Sequence, residues 1–472
     1  MNCRLKRSLA LITVLALAFT AVGAMGGALA AGSIYVNDGS NTLSGGIGSA
    51  YAIGGDGSIS IVGDTYAITG SGTVKIGENG GATGDVPNGD PDGSTIAVKY
   101  KTVRVGLFYG SNALTEANLQ NQVGNGYKFG YYDESRVFHE LGSTAQTKIT
   151  MKPTGSGTEV SVYVTGTSTL VYKHTDASYN LAVWPVSTSG KAVTWFKNST
   201  YHGDFEYFRY HQDRLTVIGV LDLEDYVKGV VPYEMPASWS LEALKAQAVC
   251  ARTYFAANVN SVSQYKFDVY NTVYSQAYGG TKNATANSDA AVDQTAGQYL
   301  TYNGKMCSAL YSSSSGGGTE DNLNVNGNNY HPYLKGVIDP YEASVASLNS
   351  YSSWTEVMSP TKLGGKVGLG AVESLEPTYS ATNNCIKIVL TDVNGKTATV
   401  QRDACRTKLG LNSIHYTITR DSSGNFVFTG GGLGHNVGMS QYGAYAMAKN
   451  YGFNYRQILR FYFTGIKIST GV

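Results

Sequence analysis

Glu234 stands among apolar neighbours: Val230, Val231, Pro232, Met235, Pro236 and Trp239. Burial penalises the charged form of a carboxyl, so such surroundings are expected to raise its pKa. A raised carboxyl can act as a general acid near neutral pH, and glycan cleavage uses such a group. The other reading is a solvated turn residue, because most glutamates keep their charge in water. Arg252 follows eighteen positions later, five turns at roughly 3.6 residues per turn, so it could orient the glutamate or a sugar. His435 lies in Gly430-Gly-Gly-Leu-Gly-His435-Asn-Val-Gly438. Glycines let the backbone approach a ligand closely, although a lone histidine also serves well as a structural residue. The run Ser312-Ser-Ser-Ser-Gly-Gly-Gly318 is not followed by Gly-Lys-Ser/Thr, so it is not a phosphate loop.

The elements around these residues are readable. Asp222 suits an N-cap, and Leu223, Tyr226, Val227 and Val230 fall on one helical face. A second helix is expected from Ser240, with Glu242 in its first turn and Leu241, Leu244, Ala248 and Phe255 repeating the apolar stripe. Glu234 then falls in the corner between two helices. Upstream, Val103–Tyr109 reads as a strand and Ala113–Val123 as a short helix. Strands are expected at Thr158–Val164, Tyr179–Val186 and Ala192–Phe196, and a strand pair at Tyr201–Phe208 and Arg214–Val220. Asn303-Gly304 marks a hairpin turn. Further on, Met358–Leu363 and the stretch from Cys405 to Leu411 read as short helices, Ile386–Leu390 and Thr397–Gln401 as strands, and Tyr455–Phe463 as an aromatic helical tail.

Two stretches carry a resemblance. Val230-Val-Pro-Tyr-Glu-Met-Pro-Ala-Ser-Trp239, with Glu242-Ala-Leu-Lys-Ala-Gln-Ala-Val-Cys-Ala-Arg-Thr-Tyr254, closely resembles the stage II sporulation protein D (SpoIID) and amidase-enhancer family. The closing Gly434-His-Asn-Val-Gly-Met-Ser-Gln-Tyr-Gly-Ala444 resembles the family's last motif, with Asn436 in place of its usual glycine. Asn tolerates positive φ better than most residues, so the turn is expected to survive. The resemblance spans roughly residues 103 to 468. It implies a bacterial cell-wall protein whose sporulation branch are lytic transglycosylases. It places the catalytic glutamate on Glu234 and the helix arginine on Arg252. It makes Tyr333, Lys335, His435, Gln441 and Tyr442 substrate-binding candidates beside Arg252. Some members bind zinc through cysteines at positions that align with Tyr270 and Ser275 here. Neither is a usual zinc ligand, so no metal and no cofactor is expected.

Composition bounds the rest. The 472 residues carry Lys+Arg 35 against Asp+Glu 34, a formal net charge of +1, which makes no electrostatic case for nucleic acid. Only 15% of residues are charged, while Gly numbers 58 and Tyr 35, as in an extracellular β-rich protein. Arg4, Lys6 and Arg7 precede an apolar run from Leu9, and Ala28-Leu-Ala30 suits signal cleavage. A secreted, cell-wall-associated chain is therefore expected. An uncleaved anchor, the alternative, would attach it to a membrane. Cys250, Cys307, Cys385 and Cys405 allow three pairings, and a Cys385–Cys405 bridge fits neighbouring strands.

The expected architecture is α+β. A mixed, β-rich catalytic core with flanking helices carries a small inserted β-rich module and a Gly-rich N-terminal extension. The parts are a signal peptide (1–30), a Gly/Ser/Asn-rich extension and linker (31–97), a β-rich N-terminal module (98–200) and a peptidoglycan-acting domain (201–472). The inserted module falls at about 345–428. The leading function is cleavage of peptidoglycan glycan strands to anhydro-muramyl ends. One carboxyl suffices if the sugar's own hydroxyl attacks, whereas hydrolases generally need two. The alternative is a non-catalytic glycan-binding module that stimulates a cell-wall amidase. A structural surface protein would explain the Gly-rich start but none of the motifs.

Overall fold

The computed structural model describes residues 33–37, 42–46, 60–61, 92–211, 213–259, 266–327 and 330–472. The expected signal peptide, and most of the Gly-rich extension, lie outside the described residues. The chain forms two compact units, Met1–Gly89 and Asp90–Val472. In the first, Ser33–Asn37 pairs antiparallel with Thr42–Gly46 and with Ser60–Ile61. The second holds every candidate residue, and it is α+β.

A seven-stranded sheet runs in the order Val269–Tyr270, Thr102–Phe108, Arg214–Asp222, Asp204–Tyr210, Leu181–Pro185, Tyr127–Tyr132, Phe138–Thr144. Every neighbouring pair is antiparallel except the first, where Val269 lies parallel beside Val105. A six-stranded antiparallel sheet runs Leu170–His174, Val160–Val164, Lys148–Pro153, Ala117–Asn121, Thr194–Phe196, Ser199–Tyr201. Val105, Leu119, Ile149, Phe196 and Val217, drawn from both sheets, share one apolar core. Arg214–Asp222 is buried from Leu215 to Leu221 without interruption, as a central strand covered on both faces must be. The expected helix over Ala113–Val123 is instead the strand Ala117–Asn121. Its buried residues are Ala117, Leu119 and Asn121, a period of two, not of 3.6.

The central strand feeds directly into helix α1 (Leu223–Glu234), whose cap Asp222 accepts from the Glu224 N–H at 2.8 Å. Pro232 lies in its last turn and Met235 is extended, which ends the helix at Glu234. Glu234 is therefore the last helical residue, not a point in the loop. Helix α2 (Leu241–Asn258) follows, buried along much of its length, but the Ser240 side chain makes no capping bond. Helix α3 (Ala286–Asp293) is closed by a Thr285–Ser288 capping box. The Gln298–Tyr302 and Lys305–Met306 hairpin turns at Asn303 and Gly304, both with positive φ. That satisfies the expectation for an Asn-Gly turn.

Short helices α4 (Asn322–Asn326), α5 (Pro360–Val367) and α6 (Ala404–Thr407) come next. Between α4 and the C-terminal helices lie two three-stranded sheets. One orders Trp354–Met358, Phe426–Gly430, Tyr416–Arg420, and the other Val372–Tyr379, Cys385–Asp392, Thr397–Gln401. Helices α7 (Gln441–Tyr451) and α8 (Tyr455–Tyr462) close the chain. Tyr455, Ile458, Leu459 and Tyr462 of α8 are buried. Gly443 in the first turn of α7 fits against α8 so closely that a Cβ there would lie 1.9 Å from the Tyr462 hydroxyl and 2.2 Å from an Asp339 oxygen. The four cysteines outside the N-terminal segment are buried free thiols. Among the described residues no helix is long and apolar enough to cross a membrane.

Candidate active site

Glu234 is half-buried at the C-terminus of α1. Burial holds its carboxyl above the ordinary value, and three donors partly offset that: the Ala277 N–H, Gln441 and Tyr311. Ala277 N donates to Oε1 at 2.8 Å, and Gln441 Nε2 to Oε2 at 3.4 Å. Behind Tyr311 a chain of donors is laid out. Tyr226 of α1 donates to Gln276 Oε1 at 3.0 Å, and Gln276 Nε2 donates to the Tyr311 hydroxyl at 3.0 Å. None of the three groups holding Glu234 is a second carboxyl.

Gln441 is brought to Glu234 by a built corner. Tyr311–Ser312 and Met439–Ser440 pair in parallel, so Tyr311 and the start of α7 arrive together. Ser440 caps α7, accepting from the Gly443 N–H at 3.2 Å. The Ser440 hydroxyl donates to Glu342 at 2.9 Å. The same buried carboxylate accepts from Ser314 Oγ, from Ser315 N at 2.9 Å and from Ser315 Oγ at 2.7 Å. One carboxylate thus ties the Ser-Gly run to the helix that carries Gln441. Asp339, beside it, accepts from Tyr462 at 2.5 Å and is pushed up to about 7 by burial and by the Glu342 charge. On its far side Gln441 Nε2 also reaches Gln247 Oε1 of α2, at 3.3 Å.

The remaining candidates fall in several places. Arg252 does not orient Glu234. It is fully buried and makes a two-pronged bond to Glu224 at the start of α1, at 2.8 and 2.6 Å. It also donates to the Gln298 carbonyl at 3.2 Å. Eighteen positions beyond the glutamate and on the next helix, it clamps α1, α2 and the Gln298 strand. Tyr333 is buried, its hydroxyl accepting from Ser308 N at 2.7 Å. Lys335 is half-exposed, paired with Asp321 at 2.7 Å and lying over the Tyr330 ring. His435 is half-buried, its Nδ1 accepts from Val437 N at 3.0 Å, and burial lowers its pKa. It also bonds the backbone of Tyr311, the residue whose hydroxyl bonds Glu234. Asn436 adopts φ 60°, and its amide donates to the Ser315 carbonyl at 2.8 Å, so the substituted turn is kept. Tyr442 meets Trp239 edge-on at 4.9 Å, and Trp239 stacks on Tyr445 at 4.4 Å. Five residues beyond Glu234, Trp239 leaves a partly open aromatic surface on the same corner.

The positions that align with zinc ligands meet each other differently, Tyr270 N donating to Ser275 Oγ at 3.1 Å. Among the described residues no group of three His, Cys, Asp or Glu is gathered as a metal site. Sequence reasoning missed Gln247, Gln276, Tyr311 and Glu342. Gln247 had a signal, a polar residue on the otherwise apolar face of α2. The other three come close only through long-range packing.

The chain is similar to known proteins. Residues 211–302, which hold Glu234 and Arg252, match the family described as Stage II sporulation protein. An uncharacterized protein of Brachyspira hyodysenteriae is 35% identical over 280 residues, covering 57% of this chain and 72% of that protein. Stage II sporulation protein D of Bacillus subtilis is 34% identical over 268 residues, covering 53% of this chain and 75% of the relative. The Bacillus subtilis amidase enhancer is 34% identical over 295 residues, and the chain spans only 40% of its length. With a glutamate held at the end of its first core helix and three quarters of a named sporulation protein matched, this chain belongs to the stage II sporulation protein D (SpoIID) family.

Proposed function

We propose that this protein is an exported lytic transglycosylase that cuts the glycan strands of peptidoglycan, with Glu234 as its acid and base. The observation that carries the reading is the Glu234 carboxyl itself, half-buried, raised by burial and held by donors that include no second carboxyl. A cell-wall or sporulation role follows from the family; the bond cleavage is the proposal. The protonated carboxyl gives its proton to the glycosidic oxygen as the C1–O bond breaks. The sugar's own hydroxyl closes onto C1, and its proton passes to the carboxylate, which ends as it began. An intramolecular attacker has an effective concentration on the order of 10⁵ M or more, so no second carboxylate is needed to activate water. Gln441, which reaches the glutamate, and the aromatic pair Trp239 and Tyr442 would serve as glycan contacts, together with Lys335 and His435. Arg252 and Tyr333 act through the packing they hold.

A second reading has its own support. The similarity to an amidase enhancer fits a chain that binds glycan and stimulates a cell-wall amidase without cutting. The two part on product chemistry. Purified protein is incubated with stem-free glycan strands and the products are weighed by mass spectrometry. Anhydro-muramyl ends support cleavage by this chain. Reducing ends point to hydrolysis, and intact strands leave the enhancer reading.

A further inference from the structure

The amide of Gln441 has two neighbours. Its Nε2 reaches Glu234 Oε2 at 3.4 Å and Gln247 Oε1 at 3.3 Å, so its two hydrogens are divided between them. Gln247 is fully buried in α2, and its own Nε2 has no hydrogen-bond partner among the described residues. A buried amide nitrogen left unpaired is costly and calls for a reason. A primary amide presents donors on one side and an acceptor on the other, and half a turn exchanges them. The arrangement described suits an ionised Glu234, which can only accept. A protonated Glu234 must donate. If Gln441 then turns its carbonyl toward the acid, the same oxygen also faces Gln247. Gln247 in turn can present its Nε2, and the unpaired nitrogen gains its acceptor.

We infer that Gln247 and Gln441 form a paired amide switch that reorients with the proton on Glu234, with Gln247 as the positioning residue that makes both orientations available. The two states call for different orientations of the amides. The ionised state gives the carboxylate a donor, and the acid state gives its O–H an acceptor and pairs the Gln247 nitrogen. Such a partner suits a general acid that becomes a base within one cycle. The titratable groups that interact with Glu234 are tyrosines: Tyr226 of its own helix, Tyr254 of α2, and Tyr311 of the strand beside α7. All three are raised by burial and stay neutral through the range in which a carboxyl titrates. The proton in play is therefore that of Glu234.

The inference rests on the proposed catalytic role of Glu234, but its test does not require turnover. In the full chain, carboxyl-¹³C glutamate and side-chain ¹⁵N glutamine signals are followed through a pH titration. The Glu234 signal is assigned by its loss in Glu234→Gln, and those of Gln247 and Gln441 by Gln247→Met and Gln441→Met. The side-chain NH₂ signals of Gln247 are expected to move with the Glu234 midpoint in the wild type and to stop moving in Glu234→Gln. In Gln247→Met the acid state loses its donor and the ionised state loses an unpaired group. The Glu234 ionisation constant should rise roughly 3- to 10-fold, about the worth of one hydrogen bond. The pH profile of any anhydro-sugar release should shift to lower pH by the same factor. Gln247 signals indifferent to the Glu234 titration, or an unmoved Glu234 midpoint in a folded Gln247→Met protein, would overturn the switch. A wild type that titrates as expected but releases no anhydro-sugar would instead sink the proposed function and leave the switch standing.

Discussion

At the scale of single residues, Arg252 and Glu234 divide the labour that their sequence spacing suggested they share. Helical register carries the two apart along α1 and α2, and Arg252 meets Glu224 where α1 begins, not Glu234 where it ends. Arg252→Met should therefore act on stability. Removing one partner of a buried pair typically costs about 3–5 kcal/mol, and the lower end is expected because Glu224 keeps some contact with solvent. Denaturant titration would show the loss, while the folded fraction should keep Glu234 chemistry. An unchanged midpoint with activity gone would restore a direct role for the arginine. Glu234 was visible in the sequence because its apolar neighbours are consecutive. Tyr311, Gln276 and Gln247 were not, because each reaches the glutamate from another element and leaves no local pattern.

At the scale of elements, the site depends on the corner where Met439–Ser440 becomes α7. The helices α1, α2 and α8 and the strand pair Asp204–Tyr210 with Arg214–Asp222 were legible, since their apolar patterns agree with the elements and, for α1, so does the cap Asp222. Ala117–Asn121 was misread because Leu114 and Ala117, and Leu119 and Val123, lie three and four apart, as on one helical face. Gly443 is the position on which α7 seats. Gly443→Ala would drive a methyl into Tyr462 and Asp339, and overpacking of this kind costs about 1–3 kcal/mol. Besides a lowered melting temperature, we expect reduced glycan turnover, as Gln441 is drawn away from Glu234. A variant as stable and active as the parent would show that α7 can be repositioned without harm.

At the scale of the whole molecule, buried carboxyls set the response to pH. Asp339 and Asp204 are each raised to about 7, in both cases first by burial. A carboxyl whose folded value lies above its unfolded one binds its proton more tightly when folded. Its contribution to stability is fully present below the unfolded value and is lost as pH rises toward 7. Thermal melts should therefore show stability falling between about pH 4 and 7, with a smaller fall in Asp339→Asn. A melting temperature that rises over that window, unaffected by the variant, would contradict this. The α+β class was legible from composition and periodicity, whereas the sharing of one sheet by strands on both sides of residue 200 was not, because strand order leaves no mark on local sequence. Export remains a reading of residues 1–30, and N-terminal sequencing of secreted protein should find the mature chain starting at or near Ala31; Met1 kept in a membrane fraction would make it an anchored protein.

The measurement that bears most directly on the central claim is made on Glu234→Gln, which keeps the shape of the side chain and removes its proton chemistry. Anhydro-muramyl release from stem-free glycan and stimulation of a cell-wall amidase are measured on the same purified, folded variant. Release should fall about 10²- to 10⁴-fold, the usual loss for a general acid–base, while glycan binding is retained. Undiminished release would remove Glu234 from the mechanism and contradict the account.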